Sequence, residues 1–312
     1  MSSLLDAKTF SKELEERTSY VNRIVTGFLP EEKGFQKTVL EAMNYSVTGG
    51  GKRIRPLLLV ESYRAVSGNN DDVPEPVKTF AAALEFIHNY SLVHDDLPAM
   101  DNDMYRRGRK TTHAVYGAGM ATLAGDGLLN YAYEIVGRLM NSEEDPDALR
   151  REAKCFRILS EKAGIYGMVG GQTLDVEKEG LEISADELQF IHENKTGALL
   201  EAPMMIGAVF AGADEVLVRK MGQAGLATGI AFQIQDDILD ITSTTEELGK
   251  PVGSDEENGK NTYVSIHGMD KAKKDVKAYS EKALEILDGL DETSDSADFI
   301  YTLIHSMINR RK

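Results

Sequence analysis

Two carboxylate clusters, each set in an apolar run of helical period, constrain this chain more than any other feature. The first, His94 to Arg107, reads HDDLPAMDNDMYRR and gathers Asp95, Asp96, Asp101 and Asp103 beside Arg106 and Arg107. The second, Gln233 to Asp240, reads QIQDDILD and follows about 140 residues later. Carboxylates crowded in this way repel one another unless cations neutralise them. Oxygen donors alone suit a hard divalent cation such as magnesium, which binds through a carboxylate or two together with substrate phosphates. The neighbouring arginines point the same way, because guanidinium forks match phosphate oxygens. A lone aspartate cluster is commonly just a solvated helix face, but two clusters embedded in apolar helices beside bases are not explained that way. The Glu-x-x-His pairs of helical di-iron sites are missing, and neither cluster has EF-hand spacing.

The pattern before and between the clusters is helical. Leu4 to Val25, Phe35 to Tyr45, Leu57 to Val66 and Val77 onward all place apolar residues at helical spacing. On the last of these, Leu84, His88, Ser91 and Asp95 share one face. Asp95 and Asp101 are six residues apart and would splay on a straight helix, but Pro98 should bend or end it and bring them together. Thr111 to Gly119 reads as turns, Met120 to Leu139 as a helix, and Pro146 opens a further helix running to Ala163. Gly164 to Asp175 is rich in glycine, which lets a helix or a ligand come close.

Ser184 and Glu187 form a capping box, after which Leu188, His192, Lys195 and Leu199 make a stripe. Glu215 to Ile241 is a long helix whose Gly222, Gly225, Gly229, Gln233, Asp236 and Asp240 share a face that leaves room for something. Thr242 to Asn261, with Lys250 and Lys260, reads as a mobile loop, and amphipathic helices resume near Met269. No repeat and no strand-rich segment stands out, so the expectation is an all-α chain, one domain over residues 1–312, with roughly ten or more helices around a central cavity.

Charge narrows the partners. Asp plus Glu number 51 against 35 for Lys plus Arg, a net charge of −16, which argues against a phosphate-backbone partner. No apolar run approaches the length of a membrane span, the start lacks the pattern of a secretory signal, and Cys155 is the only cysteine. A cytoplasmic protein with no disulfide and no membrane span is expected.

The segment Gly49 to Pro56, GGGKRIRP, lacks the spacing and preceding strand of a nucleotide loop. Lys52 and Arg55 lie beside a flexible glycine run, where both could reach one anion or simply form a basic surface turn. His88 alone would be a core histidine, but its face also carries Asp95.

Taken in order, GGGKRIRP, DDLPAMDNDMYRRG, GQTLD, the Lys195-Thr196 pair, FQIQDDILD and GK followed by KNTY resemble the polyprenyl synthetases, the trans-isoprenyl diphosphate synthases, over nearly the whole chain. The resemblance implies the isoprenoid synthase fold, a homodimer, and head-to-tail condensation of isopentenyl diphosphate with dimethylallyl or geranyl diphosphate. By the same resemblance Asp95, Asp101 and Asp236 would hold magnesium, three ions with substrate bound, with Asp96 and Asp240 in support. Lys52, Arg55, His88 and Arg107 would bind isopentenyl diphosphate; Arg106, Lys195 and Lys250 would contact the allylic diphosphate, with Lys260 helping on closure. Lys195, Thr196 and Gln233 would stabilise the carbocation, and released diphosphate would take the proton. Gln172 and Asp175 fit the family motif, but packing between helices or support of neighbouring site residues fits them equally, and they stay outside the catalytic set.

Tyr90 and Ser91 are the fifth and fourth residues before Asp95, where product length should be set. An aromatic at Tyr90, with two extra residues between Asp96 and Asp101, resembles bacterial farnesyl diphosphate synthases; geranylgeranyl synthases usually carry a smaller residue there. Tyr90 is also a natural core-packing residue. A class I terpene cyclase would carry an asparagine, serine and glutamate pattern in place of the second cluster, and a non-catalytic regulatory subunit tends to lose the acidic motifs that this chain keeps. One departure is Val264, where the family commonly has proline after KNTY.

Overall fold

The computed structural model describes residues 4–242, 261–290 and 295–309. Helices α1 (Ala7–Gly27), α2 (Lys37–Thr48), α3 (Ile54–Ser67) and α4 (Glu75–Asp95) open the chain. After a short hairpin, β1 (Tyr105–Arg106) and β2 (Arg109–Lys110), come α5 (Thr112–Tyr116), α6 (Ala118–Ser142), α7 (Pro146–Ala163), α8 (Met168–Glu177) and α9 (Ala185–Ile191). A π-helical segment, His192–Gly197, leads into α10 (Ala198–Phe210) and α11 (Glu215–Thr242), then α12 (Tyr263–His267), α13 (Met269–Asp288) and α14 (Asp295–Ile308). The all-α expectation holds. Aspartates start several helices by accepting free backbone N–H groups: Asp145 from Asp147 and Ala148, Asp214 from Leu217.

The chain divides into two compact units, one of Ser11–Val60 with Asp72–Phe156, the other of Met1–Phe10, Glu61–Asp71 and Arg157–Lys312. The first is built on α4, which packs along α6. Phe80, Leu84, Phe86 and Ile87 on α4 are fully buried, each worth about 1.5–3 kcal/mol relative to exposure. Small residues on α6, Ala121, Ala124 and Gly125, admit the larger helix; a Cβ at Gly125 would strike the His94 ring. The second unit is built on α11, flanked by α10 and α13, with Met221, Ala224, Ile230 and Ile234 in its core.

Three local expectations are corrected. Thr111 to Gly119 holds a helix, α5, which stops at Gly117 because its φ of 83° suits glycine. A hairpin, where no strand was expected, turns on Arg107 and Gly108, at φ 55° and 73°; positive φ at both central residues matches the twist of a tight hairpin. The stripe from Leu188 to Leu199 is interrupted by the π segment: Leu188, His192 and Leu199 are buried while Lys195 is half-buried. Most of the Thr242–Asn261 segment, including Lys250 and Lys260, lies outside the described residues.

Candidate active site

In the first unit, α4 ends at Asp95, just before Pro98, as the missing proline donor requires. The chain then doubles back. Leu97 donates to His94 O at 3.1 Å, and Asp101 N to Asp95 O at 2.9 Å, so the two aspartates start from hydrogen-bonded backbone. Asn102, at φ 54°, donates to Leu97 O and completes the reversal. Asp95 is half-buried and Asp101 exposed, whereas Asp96 is only 4% exposed. Asp96 Oδ1 takes both Nε and Nη2 of Arg106 at 2.7 Å. Burial pushes the Asp96 carboxyl above its ordinary range, and Arg106 opposes that shift.

The hairpin carries the arginines. Thr111 ties it down by donating its hydroxyl to Asp103 O at 2.7 Å, and the Arg109 guanidinium lies 3.8 Å over the Tyr45 ring. Arg107 donates to Gly50 O and occupies the space that a Cβ on Gly51 would fill. Gly50 and Gly51, at φ 89° and 137°, therefore form a side-chain-free shelf for that guanidinium.

Lys52 is exposed and Arg55 turns inward, its Nη1 3.2 Å from His88 Nε2. Since arginine only donates, His88 Nε2 must be the acceptor, which fixes a neutral ring. Burial, followed by Arg55, Arg107, Arg106 and Arg53, pulls His88 well below the ordinary histidine value and agrees with that assignment. Burial lowers Arg55 to about 10, with Glu85 opposing. Arg53, Arg55, Arg106 and Arg107 all act on His88 and outnumber their acidic partners Glu85, Asp96 and Asp103, an arrangement suited to a multiply charged anion.

Tyr90 is buried, edge-on to His94 with ring centres 5.7 Å apart, and burial pushes its hydroxyl to about 12. Ser91 donates to His88 O at 2.9 Å.

In the second unit, the π segment carries Lys195 and Thr196. It exists where neighbouring helices come unusually close: a Cβ on Gly171 would meet Lys195 N, and one on Gly229 would sit 2.6 Å from Gly197 Cα. The room at Gly171, Gly225 and Gly229 is therefore taken by the backbone of neighbouring helices, and that at Gly222 by the Met205 side chain. Lys195 Nζ donates to Asp175 at 2.5 Å, and Thr196 Oγ1 lies 3.2 Å from Gln233 Oε1. Asp236 is half-buried and Asp240 buried. Asp237 accepts from Tyr263 N at 2.6 Å, so it anchors α12. The Thr262–Ser265 capping box starts that helix without the family proline, and Val264 does not disturb it.

Sequence reasoning missed the buried Arg53–Glu85 pair and the anchoring bond from Tyr263 N to Asp237, while the Lys195–Asp175 ion pair agrees with the supporting role left open for Asp175. Glu85 was findable, as an acid within the otherwise apolar run from Phe80 to Ile87. Asp237 carries no local signal that separates it from the other carboxylates of its cluster. Among the described residues no three His, Cys, Asp or Glu groups converge to hold a metal by themselves. The oxygen donors of Asp95 and Asp101 instead fit a cation that shares its coordination with substrate phosphates.

An all-α chain with these clustered carboxylates and cations has the isoprenoid synthase fold: a geranylgeranyl pyrophosphate synthetase from Pyrococcus horikoshii superposes with a TM-score of 0.83 at 29% identity, covering 98% of this chain and 100% of that one. The model of the polyprenyl synthetase family matches residues 36–304. The chain belongs to this polyprenyl synthetase family and is a trans-prenyltransferase. It is 41% identical to a farnesyl diphosphate synthase of Geobacillus stearothermophilus over 93% of this chain and 95% of the relative. It is also 41% identical to a geranylgeranyl diphosphate synthase of Cyanophora paradoxa, over 87% of this chain and 88% of the relative.

Proposed function

We propose that this enzyme condenses isopentenyl diphosphate head-to-tail with dimethylallyl or geranyl diphosphate and makes mainly farnesyl diphosphate. The observation that carries the farnesyl reading is Tyr90, buried on α4 five residues before Asp95, where an aromatic would stop a growing chain. Lys52, Arg55, His88 and Arg107 bind the diphosphate of isopentenyl diphosphate, and neutral His88 leaves Arg55 free to donate outward as well. Arg106, braced by Asp96, contacts the allylic diphosphate, as do Lys195, held by Asp175, and Lys250; Lys260 joins on closure. Asp95, Asp101 and Asp236 hold magnesium, with Asp96 and Asp240 in support.

Magnesium bound there supplies charge neutralisation on the departing diphosphate oxygen. Lys195, Thr196 and Gln233 direct oxygen dipoles at the allylic cation, a preorganised stabilisation that needs no proton transfer. The alkene of isopentenyl diphosphate attacks that cation, and the proton then lost passes to released diphosphate, so no side-chain base is required.

A homodimer in the cytoplasm completes the reading. Exposed Val115 and Leu123 on α5 and α6 support an interface, and among the described residues no helix is long and apolar enough to cross a membrane. The similarity to a geranylgeranyl diphosphate synthase favours a second reading, a longer product. Sizing the dephosphorylated product made from geranyl diphosphate as primer separates the two: farnesol supports the first and mainly geranylgeraniol the second.

A further inference from the structure

Arg53 lies between Lys52 and Arg55, yet its side chain turns into the protein and is only 4% exposed. It takes a left-handed backbone, φ 49°, which residues with a Cβ adopt only where their surroundings hold them. Three elements do so. Nη1 donates to Glu85 Oε1 on α4 at 2.7 Å, Nε to Asn22 Oδ1 on α1 at 3.1 Å, and Nη2 to Val47 O in the last turn of α2 at 2.5 Å. Glu85 is 2% exposed and also accepts from Asn89 Nδ2 at 3.2 Å. The carbonyl of Arg53 receives Leu57 N at 3.0 Å, so the left-handed residue is the entry point of α3.

That reversal has a consequence on each side: Lys52 points to solvent and Arg55 swings inward to His88, which stands one turn beyond Glu85 on α4. We propose that the buried Arg53–Glu85 pair is the positioning element of the isopentenyl diphosphate pocket, locking the turn that aims Lys52 and Arg55 and registering that turn against His88. Neither residue needs to touch substrate. The inference rests on the proposed assignment of Lys52, Arg55 and His88 to isopentenyl diphosphate.

The test is calorimetric binding of each substrate alone, isopentenyl diphosphate in one arm and dimethylallyl diphosphate with magnesium in the other. It compares Glu85→Gln, Asn22→Ala and, as a control, Arg55→Ala, with folding checked by circular dichroism. Glu85→Gln keeps the shape and one hydrogen bond while removing the charge; Asn22→Ala loosens Arg53 without touching the pair and serves if the first variant does not fold. Glu85→Gln is expected to weaken isopentenyl diphosphate binding about tenfold or more, and Asn22→Ala less, while allylic binding changes by under about twofold. If Arg55→Ala leaves isopentenyl diphosphate binding intact, the underlying assignment fails. If Arg55→Ala weakens it but the folded variants of Glu85 and Asn22 do not, or if they weaken both substrates equally, the positioning role is overturned.

Discussion

The backbone N–H of Asp101 closes on the carbonyl oxygen of Asp95 at 2.9 Å, and this bond makes the last residue of α4 and a residue beyond Pro98 neighbours. A backbone closed in that way spares cation binding the cost of ordering the turn between the two residues. Asp95→Ala and Asp236→Ala should each lower kcat/KM by about a hundredfold or more, with little change in thermal midpoint. A near-normal rate in either folded variant would refute the role of its cluster.

Tyr90 is buried on the same helix, in edge contact with His94. Replacing it by alanine removes the aromatic ring and opens space beneath Asp95. Tyr90→Ala should shift products toward longer prenyl chains in chromatographic sizing. An unchanged product spectrum would remove Tyr90 as the determinant of length.

The helices were legible because their apolar periodicity is strong and their ends carry local signals, as at Pro146 and in the Ser184–Glu187 box. Pro98 likewise announced that Asp95 and Asp101 would converge. The hairpin was hidden because its decisive feature, positive φ at Arg107, leaves only the following glycine as a sequence trace. The π segment was hidden for another reason: helical stripes assume a constant turn, and the extra width at His192–Gly197 depends on distant Gly171 and Gly229. Arg53 carries no role in the sequence reading because nothing local says that Glu85 and Asn22 await it.

Gly229 sets how closely α11 approaches the π segment, with room for no side chain before Gly197 Cα. Gly229→Val should destabilise the fold by about 1–3 kcal/mol through overpacking and should lower kcat by disturbing the Thr196–Gln233 contact. Denaturant unfolding and steady-state rates check both effects. A variant with wild-type stability would show that the two helices can separate freely.

His192 is buried, stacked on Tyr263, and its Nδ1 has no hydrogen-bond partner. Burial lowers its pKa from 6.5 to about 4, with Asp175 opposing and His267 adding to the shift. Because the unfolded chain binds the proton first, this residue's contribution is intact above 6.5 and stability falls as pH drops toward 4. The loss should be about 2–3 kcal/mol across that window. Substitution His192→Gln should flatten this part of the stability profile, and an unchanged slope would show that His192 does not titrate abnormally.

Product sizing after incubation of the purified protein with isopentenyl diphosphate, dimethylallyl diphosphate and magnesium tests the central claim most directly. Farnesyl diphosphate as the main product, abolished by a magnesium chelator, is the expected result. Folded protein that forms no prenyl product under these conditions would contradict the account.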